Sequence, residues 1–175
     1  GSNKKALDDI SFTWRKGERI ALVGSNGSGK STLVKLLLRL YDPSDGEITM
    51  NGRNITEYKV RSYRDRYSTV LQDFKIFSMS VRDNVLLRLP RDGDDKIVEA
   101  ALGESGAAER IDRLEKGIDT VLTREFDDKG ANLSVGEQQK LSLARVFASD
   151  TPFVILDEPS SALDPIAEYK MFENM

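Results

Sequence analysis

The sequence of 175 residues contains no cysteine and no histidine. The lack of cysteine excludes disulfides and thiol chemistry, and it is typical of a cytosolic protein. The lack of histidine excludes imidazole catalysis and histidine-ligated metals. No apolar run approaches the ~20 residues that a membrane-spanning helix requires. The richest run, LVKLLLRL, is short and is interrupted by Lys35 and Arg39.

The chain also lacks a strong charge of one sign, because 26 lysines and arginines nearly balance 29 aspartates and glutamates. The resulting net charge of −3 does not favour a nucleic-acid-binding surface. The composition, 39% hydrophobic and 31% charged, is instead typical of a globular protein with a packed core.

Hydrophobic patterning predicts an α/β protein. Buried strands are predicted at residues 18–24, 67–73 and 152–159, helices at 30–40, 134–149 and most of 80–114, and a short hairpin after Leu40. This order predicts a mostly parallel sheet with a small antiparallel part and a helical insertion. We expect one domain over residues 1–175, with its core at about 1–77 and 146–175 and a helical subdomain at about 78–145.

A glycine-rich segment, GSNGSGKST, follows the first predicted strand. It matches the phosphate-binding pattern G-x-x-x-x-G-K-[ST] and predicts a P-loop NTPase core. Glycines let backbone N–H groups converge, and the next helix directs its positive end to the same place. Lys30 would reach the β- and γ-phosphates, and Ser31 would offer its hydroxyl to Mg²⁺. The predicted binding residues are Gly24, Ser25, Asn26, Gly27, Ser28, Gly29, Lys30, Ser31 and Thr32; the alternative is an ordinary glycine-rich turn.

Two carboxylates, Asp157 and Glu158, end the apolar strand FVIL. Ligands of parallel sheets bind beyond the carboxyl ends of the strands, so both side chains are expected to face the same nucleotide. Asp157 would hold Mg²⁺ through water, and Glu158 would polarise the water that attacks the γ-phosphate. The alternative is a solvated acidic turn.

Two further stretches, LSVGEQQ at residues 133–139 and SALD at 161–164, narrow the interpretation. Together with the phosphate loop and Gln72, they resemble the ATPase cassette of ATP-binding cassette (ABC) transporters over nearly the whole chain. The resemblance implies that the ligand is ATP with Mg²⁺. It also implies that Gln72 senses Mg²⁺ and the attacking water and links the core to the helical insertion. Without the other motifs, Gln72 would be interpreted as a polar cap at a strand end.

The LSVGEQQ stretch resembles the family signature, with Val135 in place of a glycine and Glu137 in place of glutamine. The resemblance implies that Ser134 and Gly136 contact the γ-phosphate of ATP on a second cassette, which is bound head to tail. From the residues alone, the stretch predicts a capping box, with Ser134 as N-cap and Glu137 at the third helical position. Both interpretations can hold together.

Three hydrophobic residues after Gln72, namely Phe74, Ile76 and Phe77, face either a membrane domain or the core. Asp164 is expected either at the interface between cassettes or as the N-cap of a helix that begins with Pro165. The family also has an adenine-stacking aromatic residue upstream and a switch histidine downstream. Neither has a counterpart here, so the chain resembles a cassette trimmed at both ends.

The resemblance implies an ATPase that powers an exporter-like transporter. The partners would be a second cassette, identical or different, and a transmembrane domain, fused or separate, with no nucleic acid. The transporter would place this domain at the cytoplasmic face of the cell membrane, and the chain alone is expected to be soluble. The alternatives are a soluble ABC ATPase unconnected with transport and a degenerate regulatory nucleotide-binding domain.

Overall fold

The structure is a computed structural model that describes residues 5–174. The chain divides into two compact units, Gly1–Arg66 and Tyr67–Met175. Among the described residues, none of the helices combines the length and the apolar character that crossing a lipid bilayer demands.

Over its described residues, the first unit contains two helices and one hairpin. Its elements are α1 (Lys30–Leu37), β1 (Thr49–Met50), β2 (Arg53–Asn54) and α2 (Val60–Arg64), with a 3₁₀ turn at Ile55–Glu57. Strands β1 and β2 pair in antiparallel fashion, as the sequence predicts. The turn between them consists of Asn51 and Gly52, both with positive φ, which is the conformation that tight two-residue hairpins require.

The predicted strand at residues 18–24 is not formed in this structure. Val23 is 93% exposed, and Ile20 and Leu22 are also exposed. A parallel strand depends on backbone hydrogen bonds to a neighbouring strand. Within the described part of the chain, both ladders are formed by other segments. The apolar residues would allow this segment to be a buried strand. No neighbouring strand pairs with it in the described part of the chain, so it stays exposed.

From Tyr67 to Asn174, the second unit contains one strand pair and most of the helices. Its elements are β3 (Tyr67–Val70), α3 (Val81–Leu86), α4 (Asp94–Ser105), α5 (Ala108–Asp112), α6 (Val135–Phe147), β4 (Phe153–Leu156) and α7 (Pro165–Asn174). Strands β3 and β4 are parallel, with Tyr67 opposite Phe153 and Val70 opposite Leu156. These elements confirm the predicted helices and the two predicted strands, with shorter bounds.

Helix α6 lies between two hydrophobic clusters. One side contributes Leu141 and Ala144 to a cluster with buried residues of α3, α4 and α5: Val81, Val85, Val98, Ala101, Leu102 and Ile111. Another side contributes Leu143 and Val146 to a cluster with Val70 and Met171. Full burial of one such side chain stabilises the fold by about 1.5–3 kcal/mol. Helix α6 is therefore the element on which the strand pair and the other helices pack.

An ion pair between buried Asp94 and exposed Arg88 anchors the start of helix α4. The carboxylate of Asp94, which is 4% exposed, accepts hydrogen bonds from Arg88 Nη1 and Nη2 at 2.7 and 2.8 Å and from the Arg91 N–H at 2.6 Å. The hydrogen bonds of the Arg88 guanidinium lower the pKa of Asp94 from its usual 3.8 to about 2. The folded state therefore favours the ionised carboxylate.

We predict that Asp94→Asn lowers the midpoint of thermal unfolding at neutral pH. The ionised Asp94 stabilises the folded chain fully above about pH 3.8, and this contribution is lost as the pH falls towards about 2. The difference in midpoint between wild type and variant should therefore narrow on acidification. Circular dichroism across this range measures it. The exposed Asp112→Asn serves as the control, and a difference that stays constant with pH would contradict the assignment.

Candidate functional site

The glycine-rich loop is tightly turned before helix α1. Gly27 and Gly29 have φ values of +79° and +94°, which side chains rarely tolerate. A Cβ atom on Gly29 would lie 2.6 Å from the Ala6 carbonyl oxygen, and one on Gly24 would lie 2.5 Å from Ser28 Oγ. The loop thus depends on glycine for both its backbone conformation and its space.

The lysine of the loop folds back over it. Lys30 Nζ donates to the carbonyl oxygens of Gly24 at 2.7 Å and Ser25 at 3.0 Å. Lys30 and Ser31 are the first two residues of α1, where helical N–H groups lack intrahelical acceptors and the helix dipole is positive. A lysine, a serine and the N–H groups of a helix start therefore lie together in sequence after the loop, a combination that suits an anionic phosphate chain.

Gln72 and Glu158 meet at the carboxyl end of the parallel strand pair. The Asp157 N–H donates to the Val70 carbonyl oxygen at 2.8 Å, which extends the ladder by one bond beyond β4. Gln72 Nε2 then donates to Glu158 Oε2 at 3.1 Å. Both side chains are exposed and can reach a ligand. Glu158 has a φ of +52°, an uncommon conformation for a residue with a side chain, and such conformations often occur at functional sites.

The signature stretch begins helix α6 with a capping box. Ser134 Oγ accepts from the Glu137 N–H at 3.3 Å, and the Ser134 N–H donates to Glu137 Oε2 at 2.7 Å. The predicted cap is therefore confirmed. Glu137 also pairs with Arg110, whose Nε lies 3.1 Å from Glu137 Oε1. Glutamate and glutamine both serve in this capping position, so Glu137 preserves the local structure of a glutamine signature. Val135 is 65% exposed at the helix start.

The segment after Gln72 is held by two polar residues, Asn84 and Arg145, that no sequence motif indicates. The amide of Asn84, fully buried, accepts from the Phe77 N–H and donates to the Phe77, Met79 and Ser80 carbonyl oxygens. Arg145 of α6 donates to the Asn84 and Lys75 carbonyl oxygens at 2.8 and 2.7 Å. Their positions in the sequence, 61 residues apart, gave no signal of this contact.

The hydrophobic residues of this segment divide between core and surface. Ile76 packs against the helical core, and Phe74 is half-buried. Phe77 is 45% exposed, and the Arg145 guanidinium lies 5.7 Å from its ring centroid. Ile76 therefore belongs to the core, whereas Phe77 remains accessible to a partner.

Asp164 is the N-cap of helix α7. Its Oδ1 accepts from the N–H groups of Ile166 and Ala167 at 3.0 and 2.9 Å, and α7 begins at Pro165. The hydrogen bond from the Ala167 N–H, with that from Ile166, lowers the pKa of Asp164. The capping alternative is therefore confirmed for this residue.

The predicted site residues fall into two sets. Residues 24–32 belong to the first unit, and Gln72, Asp157, Glu158, Ser134 and Gly136 belong to the second. Ser31, Asp157 and Gln72 carry hydroxyl, carboxylate and amide oxygens, the hard donors that Mg²⁺ prefers beside phosphate oxygens and water. The described residues hold no group of three or more acidic or other strong ligands that could bind a metal unaided. The donor chemistry therefore fits a magnesium ion shared with a phosphate ligand.

Gly136 packs closely against the segment that follows the carboxylates. A Cβ atom there would lie 2.9 Å from the Ala162 carbonyl oxygen, a backbone atom that cannot move aside alone. We predict that Gly136→Ala lowers the free energy of unfolding by about 1–3 kcal/mol, as overpacking commonly does. Urea unfolding measures the change.

Gly103, inside helix α4, is the matched control. A Cβ there would meet nothing within 4 Å. Gly103→Ala should therefore stabilise the chain by about 0.5–1 kcal/mol through its higher helix propensity. Equal effects of the two substitutions would contradict the packing argument.

Known proteins resemble this chain over most of its length. Residues 7–161 match the family described as ABC transporter. A Staphylococcus aureus protein (strain NCTC 8325 / PS 47) named putative multidrug export ATP-binding/permease protein is 42% identical over 158 residues, which cover 90% of this chain and 26% of that protein. An ATP-dependent lipid A-core flippase of Vibrio parahaemolyticus serotype O3:K6 (strain RIMD 2210633) is 37% identical over 168 residues, or 96% of this chain and 28% of the flippase.

A solved structure shares the fold. A bacterial Atm1-family ABC exporter with ATP bound superposes with a TM-score of 0.75 at 34% identity, covering 86% of this chain and 26% of the exporter chain. The chain spans about a quarter of the length of the curated relatives it matches. The agreement of the family match, the relatives and the fold shows that the chain belongs to the ABC transporter family.

Proposed function

We propose that the chain is the ATP-binding and ATP-hydrolysing domain of an exporter-type ABC transporter. The observation that carries the proposal is the contact of Gln72 with Glu158 at the carboxyl end of paired parallel strands. A glycine-rich phosphate loop in the same chain supplies the nucleotide-binding part. The names of the two curated relatives, which include ATP binding, permease and flippase, support ATP-driven export.

In this proposal the loop residues 24–32 bind the phosphates of ATP. The N–H groups at the start of α1 point to the phosphate oxygens, and Lys30 exchanges its two carbonyl acceptors for the β- and γ-phosphates. Ser31, Asp157 and Gln72 would hold the magnesium ion, which when bound neutralises phosphate charge. ATP binding thus replaces the hydrogen bonds from Lys30 to the Gly24 and Ser25 carbonyl oxygens by contacts from Lys30 to the phosphates.

Glu158 acts as the base in this proposal. One carboxylate oxygen accepts from Gln72, which fixes the orientation of the side chain, and the other is available to accept a proton from water. Gln72 is well placed to orient the same water because its amide lies within hydrogen-bond distance of Glu158. In this proposal the pair orients and activates the water that attacks the γ-phosphate.

The remaining site residues act on a second cassette. Ser134 is the N-cap of α6 and Gly136 lies in its first turn, where the Gly136 N–H has no acceptor within the helix and the positive end of the helix dipole favours an anion. We propose that this turn contacts the γ-phosphate of ATP bound to an opposing cassette, identical or different, in a head-to-tail pair. A fused transmembrane domain fits relatives named ATP-binding/permease that are about four times as long as their match here. This domain would then lie at the cytoplasmic face of the membrane.

We predict that Lys30→Ala weakens ATP binding by about 100-fold or more, because it removes the charged contact to two phosphates. Titration with a fluorescent ATP analogue measures the affinity. Lys35→Ala, at an exposed position of the same helix, is the control and should bind as wild type. Unchanged affinity of the Lys30 variant would overturn the phosphate-loop assignment.

We predict that Glu158→Gln retains ATP binding and lowers turnover by about 10²–10⁴-fold, because the amide cannot accept the proton of the attacking water. The ATP-bound dimer should then accumulate. Phosphate release and size-exclusion chromatography of the full-length natural protein measure both effects. Glu99→Gln, on the exposed face of α4, is the control. Turnover near the wild-type rate would remove Glu158 from the role of base.

A further inference from the structure

Gln139 is a buried side chain that the proposed chemistry leaves unexplained. It lies in the second turn of α6 and is 1% exposed. Its Nε2 donates to the Glu158 carbonyl oxygen at 3.2 Å and to Ser161 Oγ at 3.3 Å. Its Oε1 accepts from the Ala162 N–H at 2.7 Å. All three hydrogen bonds of the Gln139 amide are therefore made to residues 158–162.

These bonds hold the backbone of the residue proposed as the base. Glu158 has a φ of +52°, a conformation that surrounding contacts must maintain. Gln139 holds Glu158 through its main-chain carbonyl, and Gln72 holds it through its carboxylate at 3.1 Å. Glu158 is therefore fixed from two sides by two glutamines that are 67 residues apart in sequence.

The same face of α6 touches this stretch at a second point. Gly136 lies three residues before Gln139, so both project from one side of the helix. A Cβ on Gly136 would approach the Ala162 carbonyl oxygen to 2.9 Å, and Gln139 Oε1 binds the Ala162 N–H. Helix α6 and residues 158–162 therefore meet through close packing and hydrogen bonds together.

We infer that Gln139 is a positioning residue that couples the start of α6 to the placement of Glu158. This inference rests on the proposed function, in which Ser134 contacts ATP on the opposing cassette and Glu158 acts on ATP in its own. A shift of α6 upon contact with the opposing phosphate is passed to Glu158 through the Gln139 amide.

The chemistry of the contact requires glutamine. A glutamate at this position would present no N–H to the Glu158 carbonyl oxygen and would bury a charge. A methionine has similar length and flexibility but cannot form the three hydrogen bonds. Gln139→Met therefore removes the coupling with little change of volume.

The test measures ATP hydrolysis by the full-length natural protein. Gln139→Met should lower kcat by about 10–100-fold while the KM for ATP stays within about twofold, because only the arrangement in the transition state is lost. In a double-mutant cycle, Ser134→Ala combined with Gln139→Met should lower kcat no further than the stronger single substitution, because both break one coupled path.

Two controls separate positioning from general destabilisation. Gln138→Met changes the neighbouring glutamine, whose amide donates to the Leu133 carbonyl oxygen at 2.8 Å, and should leave kcat unchanged. Val98→Ala opens a cavity in the helical core. Its effect on kcat should be additive with the effect of Ser134→Ala, because Val98 is not part of the proposed path. An additive Gln139–Ser134 cycle, or a wild-type kcat in Gln139→Met, would overturn the inference.

The outcomes also separate this inference from the proposed function. If Lys30→Ala and Glu158→Gln keep wild-type turnover, the proposed function itself fails. If those variants are inactive and Gln139→Met is fully active, the inference alone fails. Gln139→Leu, which is also uncharged and lacks the amide, is the second variant should Gln139→Met not fold, with the same expected loss of kcat. If neither variant folds, Gln139 is structural and the inference is overturned.

Discussion

The parallel pairing of β3 with β4 is the constraint on which the second unit depends. The bond from the Asp157 N–H to the Val70 carbonyl oxygen fixes the register at the carboxyl end of the pair. Gln72 and Glu158, 86 residues apart, are brought within 3.1 Å by that register. A shift in register by one residue would displace the two strand ends by about 3.3 Å relative to each other and break this contact, so the contact depends on the register of the ladder.

Helix α6 connects this strand pair to the rest of the unit. Its capping box defines where the helix begins, and its apolar faces bind the strands on one side and the other helices on another. Polar groups on the same helix then reach two loops of the proposed site. Gln139 contacts the stretch that contains Glu158, and Arg145 contacts the segment after Gln72. One rigid element thus sets the positions of both loops.

Local signals predicted the local parts of the structure well. Ser134 with Glu137 predicted the start of α6, and Asn51-Gly52 lies at the tight turn of the hairpin that the sequence indicated. Asp164 before Pro165 predicted the start of α7. Each of these features depends on residues within four positions of one another, where the backbone itself brings the interacting groups together.

The prediction of a strand at residues 18–24 was wrong because strand formation depends on residues far away in the sequence. The pattern of apolar residues reports that a segment can be buried, but a strand also needs a neighbour from elsewhere in the chain. The sequence also did not predict the contacts of Gln139 with residues 158–162 and of Asn84 with Arg145, because these contacts too are made to distant parts of the chain. A glutamine or asparagine inside a helix carries no pattern that distinguishes a solvated side chain from one buried against a distant loop.

The sequence by itself determined the glycine-rich loop, the helix caps and the residue types available for phosphate, magnesium and proton transfer, because these follow from local conformation and side-chain chemistry. Only the tertiary structure decided that Gln72 meets Glu158 and that Gln139 holds the Glu158 backbone. Those contacts join residues that are 86 and 19 positions apart, and strand register and helix packing bring them together.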